Sequence, residues 1–204
     1  NPGDVEYYAR IMAELAHTIH DIETDDAGDF PDSTQRLRSQ VDEGLGRINP
    51  EMAGKVMALI DALPETNHLV HGDFHSGNVF LLNGEPMLID MDRMSRGHPI
   101  VDISGLYMAY VGFGDKDPKV VEMYMGFSYE TAKKFFRYFL EYYLDTKDEA
   151  RIQEVTDKAA LMCYMRLLRR PMRTENMTEE DEQEVARLVE KTASYLERVD
   201  SLLI

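Results

Sequence analysis

A hairpin signal in the middle of the chain limits its fold more than any other feature. The dipeptide Asn83-Gly84 separates two short apolar runs, at residues 79–82 and 87–89. Asn-Gly readily adopts the positive φ angles that a two-residue hairpin turn requires, so these runs are predicted to pair as antiparallel strands. A third short strand pattern lies at residues 68–70. β structure is therefore expected only in this central part of the chain.

Helical periodicity dominates on both sides of the hairpin. Apolar residues recur three and four positions apart, and N-cap residues such as Ser128 and Thr178 precede some of these segments. The predicted helices span residues 4–22, 33–44, 50–63, 101–111, 118–126, 128–144, 148–168 and 178–203. The predicted fold class is mainly α with a small β-hairpin insert. Residues 1–204 contain neither an internal repeat nor an interior boundary, so we expect a single domain.

The charge of the chain restricts its partners. Acidic residues outnumber basic ones by 38 to 22, which gives the 204 residues a formal net charge of -16. Nucleic acids and anionic membranes attract proteins through Lys and Arg, so neither is expected as a partner. No apolar run approaches the roughly 18 residues that span a bilayer. The single cysteine, Cys163, fits a reducing compartment, so a cytoplasmic location is expected.

Two polar loops lie at the ends of the predicted hairpin. Residues 71–78 read HGDFHSGN, and residues 90–92 read DMD. The spacing of Asp73 and Asn78 is the D-x-x-x-x-N of a kinase catalytic loop, and His71 takes the place of that loop's histidine. The sequence therefore predicts a catalytic loop followed, after a hairpin, by a metal loop.

Phosphoryl transfer explains why these residue types occur together. One carboxylate must orient the attacking hydroxyl and accept its proton, and Asp73 suits that role. Mg²⁺ prefers oxygen ligands, which Asn78 and Asp90 can supply at the ends of the two loops. The predicted function is transfer of the γ-phosphate of Mg·ATP to a hydroxyl of a small molecule. The acidic composition favours a cationic acceptor.

The two loops and the segment after them resemble a known family. HGDFHSGN, LIDMD at residues 88–92 and GHPIVD at residues 97–102 closely resemble the aminoglycoside phosphotransferase and choline kinase-like family. The resemblance implies a protein-kinase-like fold, of which residues 1–204 would be the C-terminal lobe. Together with FPD at residues 30–32, the fragments are nearest to an unassigned bacterial phosphotransferase subgroup.

The same resemblance implies a role for individual residues. Asp73 would be the catalytic base, His71 would stabilise its loop, and Asn78 and Asp90 would bind Mg²⁺. Asp102 would organise the catalytic loop from the helix that follows. Asp92 and His75 are supporting candidates.

The N-terminal lobe with which such enzymes bind ATP has no counterpart in the sequence. A phosphate-covering loop and a strand Lys paired with a helix Glu are both missing. The short segment Gly44-Leu-Gly46 follows a predicted helix instead of lying in a hairpin. We expect that the ATP-binding lobe is absent from this chain and that nucleotide binding needs it.

Other interpretations stay open at this point. The chain could be a non-catalytic ATP-binding regulator, a pseudokinase. His71, Asp73 and His75 alternate, so in an extended strand they would share a face and could hold Zn²⁺ in a metal hydrolase. A basic cluster at residues 166, 169, 170 and 173 is expected to be a solvated helix end or to pair with glutamates of the protein, with binding of an anionic substrate group as the alternative.

Overall fold

The computed structural model describes residues 2–25, 29–173 and 176–204. The helices are α1 Pro2–His20, α2 Ser33–Glu43, α3 Leu45–Ile48, α4 Pro50–Asp61, α5 Ile100–Tyr107, α6 Pro118–Met125, α7 Tyr129–Tyr143, α8 Glu149–Leu167 and α9 Glu179–Leu196. The strands are β1 Leu69–Val70, β2 Val79–Leu82, β3 Glu85–Leu88 and β4 Ser95–Arg96. Short 3₁₀ turns at Ser76–Asn78, Met91–Arg93 and Pro171–Arg173 and a π-helical turn at Met108–Gly112 complete the elements. The prediction of a mainly helical chain with a central hairpin is confirmed.

The strands form two small antiparallel sheets. β2 and β3 make the predicted hairpin, in which Leu82 lies opposite Glu85 and the turn residues Asn83 and Gly84 have φ angles of 55° and 89°. These positive values are those of a type I′ turn, the type that Asn-Gly favours. β1 pairs with β4, a strand that the sequence did not predict because a Ser-Arg dipeptide carries no apolar alternation.

The predicted end of the last helix is wrong. α9 ends at Leu196 instead of residue 203. Val199 and Leu202 are buried beyond it in non-helical backbone. The apolar residues after Leu196 keep the spacing of a helix because they are buried, although the backbone there is not helical. The Thr178 N-cap is confirmed, with a capping box that Asp181 completes.

The hydrophobic core lies between the helices. α1 packs most extensively against α7, while α8 packs against α5 on one side and α9 on the other. Aromatic rings fill the space beside α7, where Tyr110 stacks on Phe135 with ring centroids 4.5 Å apart. No helix in the described ranges has both the length and the apolar character needed to cross a membrane.

Packing is close where the π-helical turn meets α8. A Cβ atom added to Gly112 would lie 2.5 Å from Sγ of Cys163, whose side chain is fully buried. Burial also raises the pKa of the Cys163 thiol, so the residue behaves as a small core side chain. Gly54 of α4, in contrast, is exposed and has open space at its Cβ position.

We predict opposite effects for two Gly→Ala substitutions. Gly112→Ala should lower the free energy of unfolding by about 1–3 kcal/mol because the new methyl group overlaps the thiol. Gly54→Ala should raise it by about 0.5–1 kcal/mol because alanine loses less backbone entropy in a helix. Urea denaturation of both variants checks the pair, and equal shifts would contradict the packing at Gly112.

His98, just before α5, is largely buried and lies near His20 and Lys158. Burial lowers its pKa from 6.5 to about 4, with smaller contributions from His20 and Lys158. Its Nδ1 atom accepts a weak hydrogen bond from the backbone N–H of Ile100 at 3.4 Å. The imidazole is therefore neutral in the folded protein at neutral pH, whereas the unfolded chain takes up a proton below pH 6.5.

This difference predicts a pH-dependent stability. Between pH 6.5 and 4 the unfolded state binds the additional proton, so the free energy of unfolding should fall as the pH falls. The loss from His98 should reach about 3 kcal/mol at the acid end. In His98→Asn, which keeps an acceptor for the Ile100 N–H, denaturation midpoints should depend less on pH over this range. If the midpoints of His98→Asn and of the wild type depend equally on pH, His98 is not the cause of the pH dependence.

Candidate active site

Asp102, in the first turn of α5, holds the start of the 71–78 loop. Its carboxylate is 1% exposed and accepts hydrogen bonds from the backbone N–H groups of His71 and Gly72, each at 2.7 Å. His20 of α1 approaches the same carboxylate, with Nε2 3.1 Å from Oδ2. A buried carboxylate is tolerated when such donors satisfy it. These three contacts tie the loop to α5 and α1.

Gly72 is needed at the second position of this loop. Its φ angle is +81°, and a Cβ atom there would lie only 2.4 Å from the carbonyl oxygen of Arg93 and 2.9 Å from Nη2 of Arg36. A side chain would therefore be both strained and obstructed. The glycine brings the loop close to the segment that follows the metal loop.

Phe74 fixes the loop from the opposite side. The side chain is 1% exposed, and its ring lies 6.1 Å from the ring of His71 and 6.4 Å from that of Phe139 in α7, between centroids. Burial of a phenylalanine contributes about 1.5–3 kcal/mol. Asp73 thus lies between two anchored neighbours.

The Asp73 carboxylate is left available. It is 36% exposed and accepts no hydrogen bond from the described residues. Nε2 of His75 lies 3.8 Å away and Nη1 of Arg93 lies 3.9 Å away. Both distances exceed hydrogen-bond length. The position suits a group that accepts a hydrogen bond from a bound ligand.

His71 links the two predicted loops. Its Nδ1 atom accepts from the backbone N–H of Asp73 at 3.3 Å, and its Nε2 atom lies 3.0 Å from the carbonyl oxygen of Ile89 as donor. The backbone N–H of Ile89 in turn donates to the carbonyl oxygen of Asn78 at 3.0 Å. Asp90 directly follows Ile89, so the hairpin returns the second loop to the first.

Asn78 and Asp90 present oxygen atoms at this junction. Asn78 is buried and donates from Nδ2 to the carbonyl oxygen of Asp73 at 2.9 Å, which leaves its Oδ1 atom as an acceptor. Asp90 has the left-handed angles φ 60° and ψ 55°, and its exposed side chain makes no hydrogen bond with the described residues. One amide oxygen and one carboxylate fit the few protein ligands that Mg²⁺ takes when phosphates complete its shell.

Two supporting candidates differ in their placement. His75 accepts from the backbone N–H of Gly77 at 3.1 Å and turns its other nitrogen toward Asp73. Asp92 is exposed in the turn Met91–Arg93, and no described residue forms a hydrogen bond or ion pair with its side chain. His75 therefore contributes to the structure of the loop, whereas Asp92 does not.

The arrangement does not resemble a zinc site. His71, Asp73 and His75 lie in a folded loop instead of an extended strand, and both ring nitrogens of His71 are already in contact with backbone atoms. Within the described ranges, no group of three or more His, Cys, Asp or Glu side chains could hold a metal ion.

Three residues of the site were not recognised from the sequence. His20 binds Asp102 across 82 positions of the chain, which no local pattern indicates. Arg36 extends from α2 toward the loop, and its side chain donates to Ser95 Oγ of β4 at 3.0 Å. Arg93 could have been predicted, because it follows Asp90 by only three residues and should therefore lie near the site.

Comparison with known proteins gives the family. A model of the phosphotransferase enzyme family, APH, matches residues 1–155, from the start of the chain into α8. No curated protein matches the chain. The family match covers both loops, the hairpin and the Asp102 helix, and it agrees with the resemblance of their motifs. The chain therefore belongs to the phosphotransferase enzyme family.

Proposed function

We propose that the chain is the C-terminal lobe of a kinase-like enzyme that transfers the γ-phosphate of Mg·ATP to a hydroxyl group of a small molecule. The observation that carries the proposal is the position of His71, which contacts both the backbone of Asp73 and the end of the strand before Asp90. A base and a metal ligand on separate loops are thereby kept together. Phosphoryl transfer depends on such positioning more than on covalent chemistry.

Asp73 would act as the catalytic base. Its carboxylate would accept a hydrogen bond from the acceptor hydroxyl and then its proton as the oxygen bonds to phosphorus. Two features support this role: the absence of a hydrogen-bond donor to this carboxylate among the described residues, and the anchoring of its neighbours by Asp102 and Phe74. The carboxylate is held in place through its backbone, and the nearest cationic side chains, those of His75 and Arg93, lie beyond hydrogen-bond distance.

Asn78 and Asp90 would hold Mg²⁺ through oxygen atoms. The bound ion would neutralise charge on the phosphate oxygens. Asn78 is oriented for this by its hydrogen bond to the Asp73 carbonyl, which turns the amide oxygen away from the loop backbone. Asp102 and His71 would position the loop without touching the substrates.

The hairpin supports a further part of the proposal. Phe80 and Met87 lie opposite each other and are 59% and 47% exposed, and Leu82 is 57% exposed. Adjacent large apolar side chains on a surface commonly mark a binding region. We propose that the nucleotide and an N-terminal ATP-binding lobe cover this face and that nucleotide binding requires that lobe.

A regulator that binds nucleotide without turnover is the second candidate. It shares the proposed ligand positions, so only a transfer assay separates the two. The proposed base, Asp73, and the proposed metal ligands, Asn78 and Asp90, are all present, so we favour the enzyme over the regulator.

Phosphate transfer is the first test. The polypeptide that includes its nucleotide-binding lobe is incubated with radiolabelled Mg·ATP and a panel of small hydroxyl compounds. Label should appear in at least one acceptor, and Asp73→Asn should lower the rate by about 10²–10⁴-fold because the base is removed. Circular dichroism should show a native fold in this variant.

A matched control distinguishes the base from a general loss of charge. Asp61→Asn removes an exposed carboxylate at the end of α4 that pairs with Arg38, and it should leave the rate near that of the wild type. An active Asp73→Asn enzyme would rule out Asp73 as base. Binding of Mg·ATP without transfer would favour the regulator.

The metal ligands make a separate prediction. In Asp90→Asn the Mg²⁺ concentration needed for half-maximal activity should rise about tenfold or more, since even residues that only orient metal ligands have effects of this size. Asp92→Asn should change it much less, because Asp90 directly follows Ile89, which contacts His71 and Asn78, whereas Asp92 comes two residues later. Titration of the initial rate with Mg²⁺ checks both, and equal effects would contradict the assignment of Asp90.

A further inference from the structure

Two arginines behind the catalytic loop have no carboxylate partner. Arg36 of α2 donates from Nη2 to Ser95 Oγ at 3.0 Å and to the carbonyl oxygen of Arg93 at 3.2 Å. Arg166 of α8 donates from Nη1 to Ser104 Oγ at 3.2 Å. Among the described residues, neither guanidinium has an Asp or Glu oxygen within the 4.0 Å of an ion pair. Both side chains are only partly accessible.

Both guanidinium groups lie next to the proposed active site. The Arg36 side chain packs on Gly72, one residue before Asp73, and Ser104 follows Asp102 by two residues in α5. α8 packs against both α2 and α5, so the two arginines approach the loop from adjacent helices. Arg36 therefore lies against the loop itself, and Arg166 contacts the helix that carries Asp102.

The pKa shifts of Arg36 and Arg166 fit two guanidinium groups that have no carboxylate in contact with them. Burial lowers the pKa of Arg166, and the neighbouring Arg36 lowers it further. Burial also lowers the pKa of Arg36, with a second contribution from Arg93. The carboxylates of Asp73 and Asp102 act in the opposite direction on both, but from beyond contact. Asp102 is already occupied by two backbone N–H groups and His20.

The other arginines of the basic cluster behave differently. Arg169 forms an ion pair with Glu43 at 2.6 Å, and Arg173 lies 3.6 Å from the same carboxylate. Arg170 lies over the ring of Phe113, with 5.3 Å to its centroid. The expected pairing with glutamate is thus confirmed for residues 169 and 173. Arg166 is the member of the cluster that contacts α5, the helix that carries Asp102.

We propose that Arg36 and Arg166 bind an oxyanion of the acceptor, a carboxylate or a phosphate, while Asp73 faces its hydroxyl. Guanidinium groups bind such planar or tetrahedral oxyanions through two parallel hydrogen bonds, and a poorly solvated pair of them gains most from a bound anion. The acceptor class is then an anionic alcohol, a hydroxy acid or a phosphorylated alcohol. This inference rests on the proposed phosphotransferase function and names its acceptor. It replaces the cationic acceptor that the net charge favoured.

Matched acceptors test the inference. The wild-type protein with its nucleotide-binding lobe is assayed with short hydroxy acids and their amides, and with sugar phosphates and the free sugars. In at least one of the two series, the anionic compound should be phosphorylated with a KM at least about 30-fold lower than that of its neutral counterpart. The two series separate a carboxylate from a phosphate as the anion. Equal use of neutral counterparts would overturn the inference while leaving the phosphotransferase function intact.

Variants of Arg36 and Arg166 test whether these residues cause the preference for an anionic acceptor. Arg166→Gln and Arg36→Gln should each raise the KM for the anionic acceptor at least about 30-fold and leave the KM for ATP unchanged. Arg170→Gln, in the same segment, should change neither. Arg36→Lys keeps the charge without the fork of donors and should fall between Arg36→Gln and the wild type. Unchanged acceptor KM values in properly folded Arg36 variants would overturn the inference, even if Arg166→Gln does not fold.

A binding measurement does not depend on turnover. Acetate and inorganic phosphate, tested separately with the wild type, should raise its unfolding temperature, and at least one of these shifts should be lost in Arg36→Gln and kept in Arg170→Gln. Anion binding of this pattern without any phosphate transfer would support the site and reject the phosphotransferase function. Shifts that are the same in all variants would reject the site.

Discussion

The hydrogen bonds between the buried Asp102 carboxylate and the backbone of the 71–78 loop are the contacts on which the rest of the site depends. A carboxylate that is 1% exposed would be costly without donors. His71, Gly72 and His20 supply three, so the cost is offset only when the loop and α1 are in their native places. The same interaction therefore selects the conformation of the loop and joins it to the helical core.

Short contacts connect Asp102 to the positions proposed for the base and the metal ligand. His71, held by Asp102 through its N–H, uses its ring to bind the backbone of Asp73 and of Ile89. Phe74 inserts into the aromatic layer of α7 on the other side. Every group that orients Asp73 acts on its backbone or its neighbours. Its carboxylate, like that of Asp90, accepts no hydrogen bond from the described residues, which suits an oxygen that binds a ligand.

The sequence predicted elements whose signals lie within a few residues of each other, and it did not predict contacts between residues that are far apart along the chain. Helix positions followed from apolar spacing, and the hairpin turn followed from Asn83 and Gly84, because in both cases the signal lies within a few residues of the structure. The contact of His20 with Asp102 and the approach of Arg36 to Gly72 arise from packing between helices. Neither has a periodicity or a motif. Catalytic and metal roles were predictable only because their residue types occur in a fixed spacing, and those roles remain predictions.

The electrostatic character of the site cannot be inferred from the total charge. The net charge of -16 describes mainly the exposed surface, where salt screens charges beyond about 10 Å. Near Asp73 the balance is different, because Arg36, Arg93 and Arg166 lie on its side of the fold. An acidic protein can thus carry several arginines around one loop. The proposal of an anionic acceptor rests on partly buried guanidinium groups that lack a carboxylate partner, and not on composition.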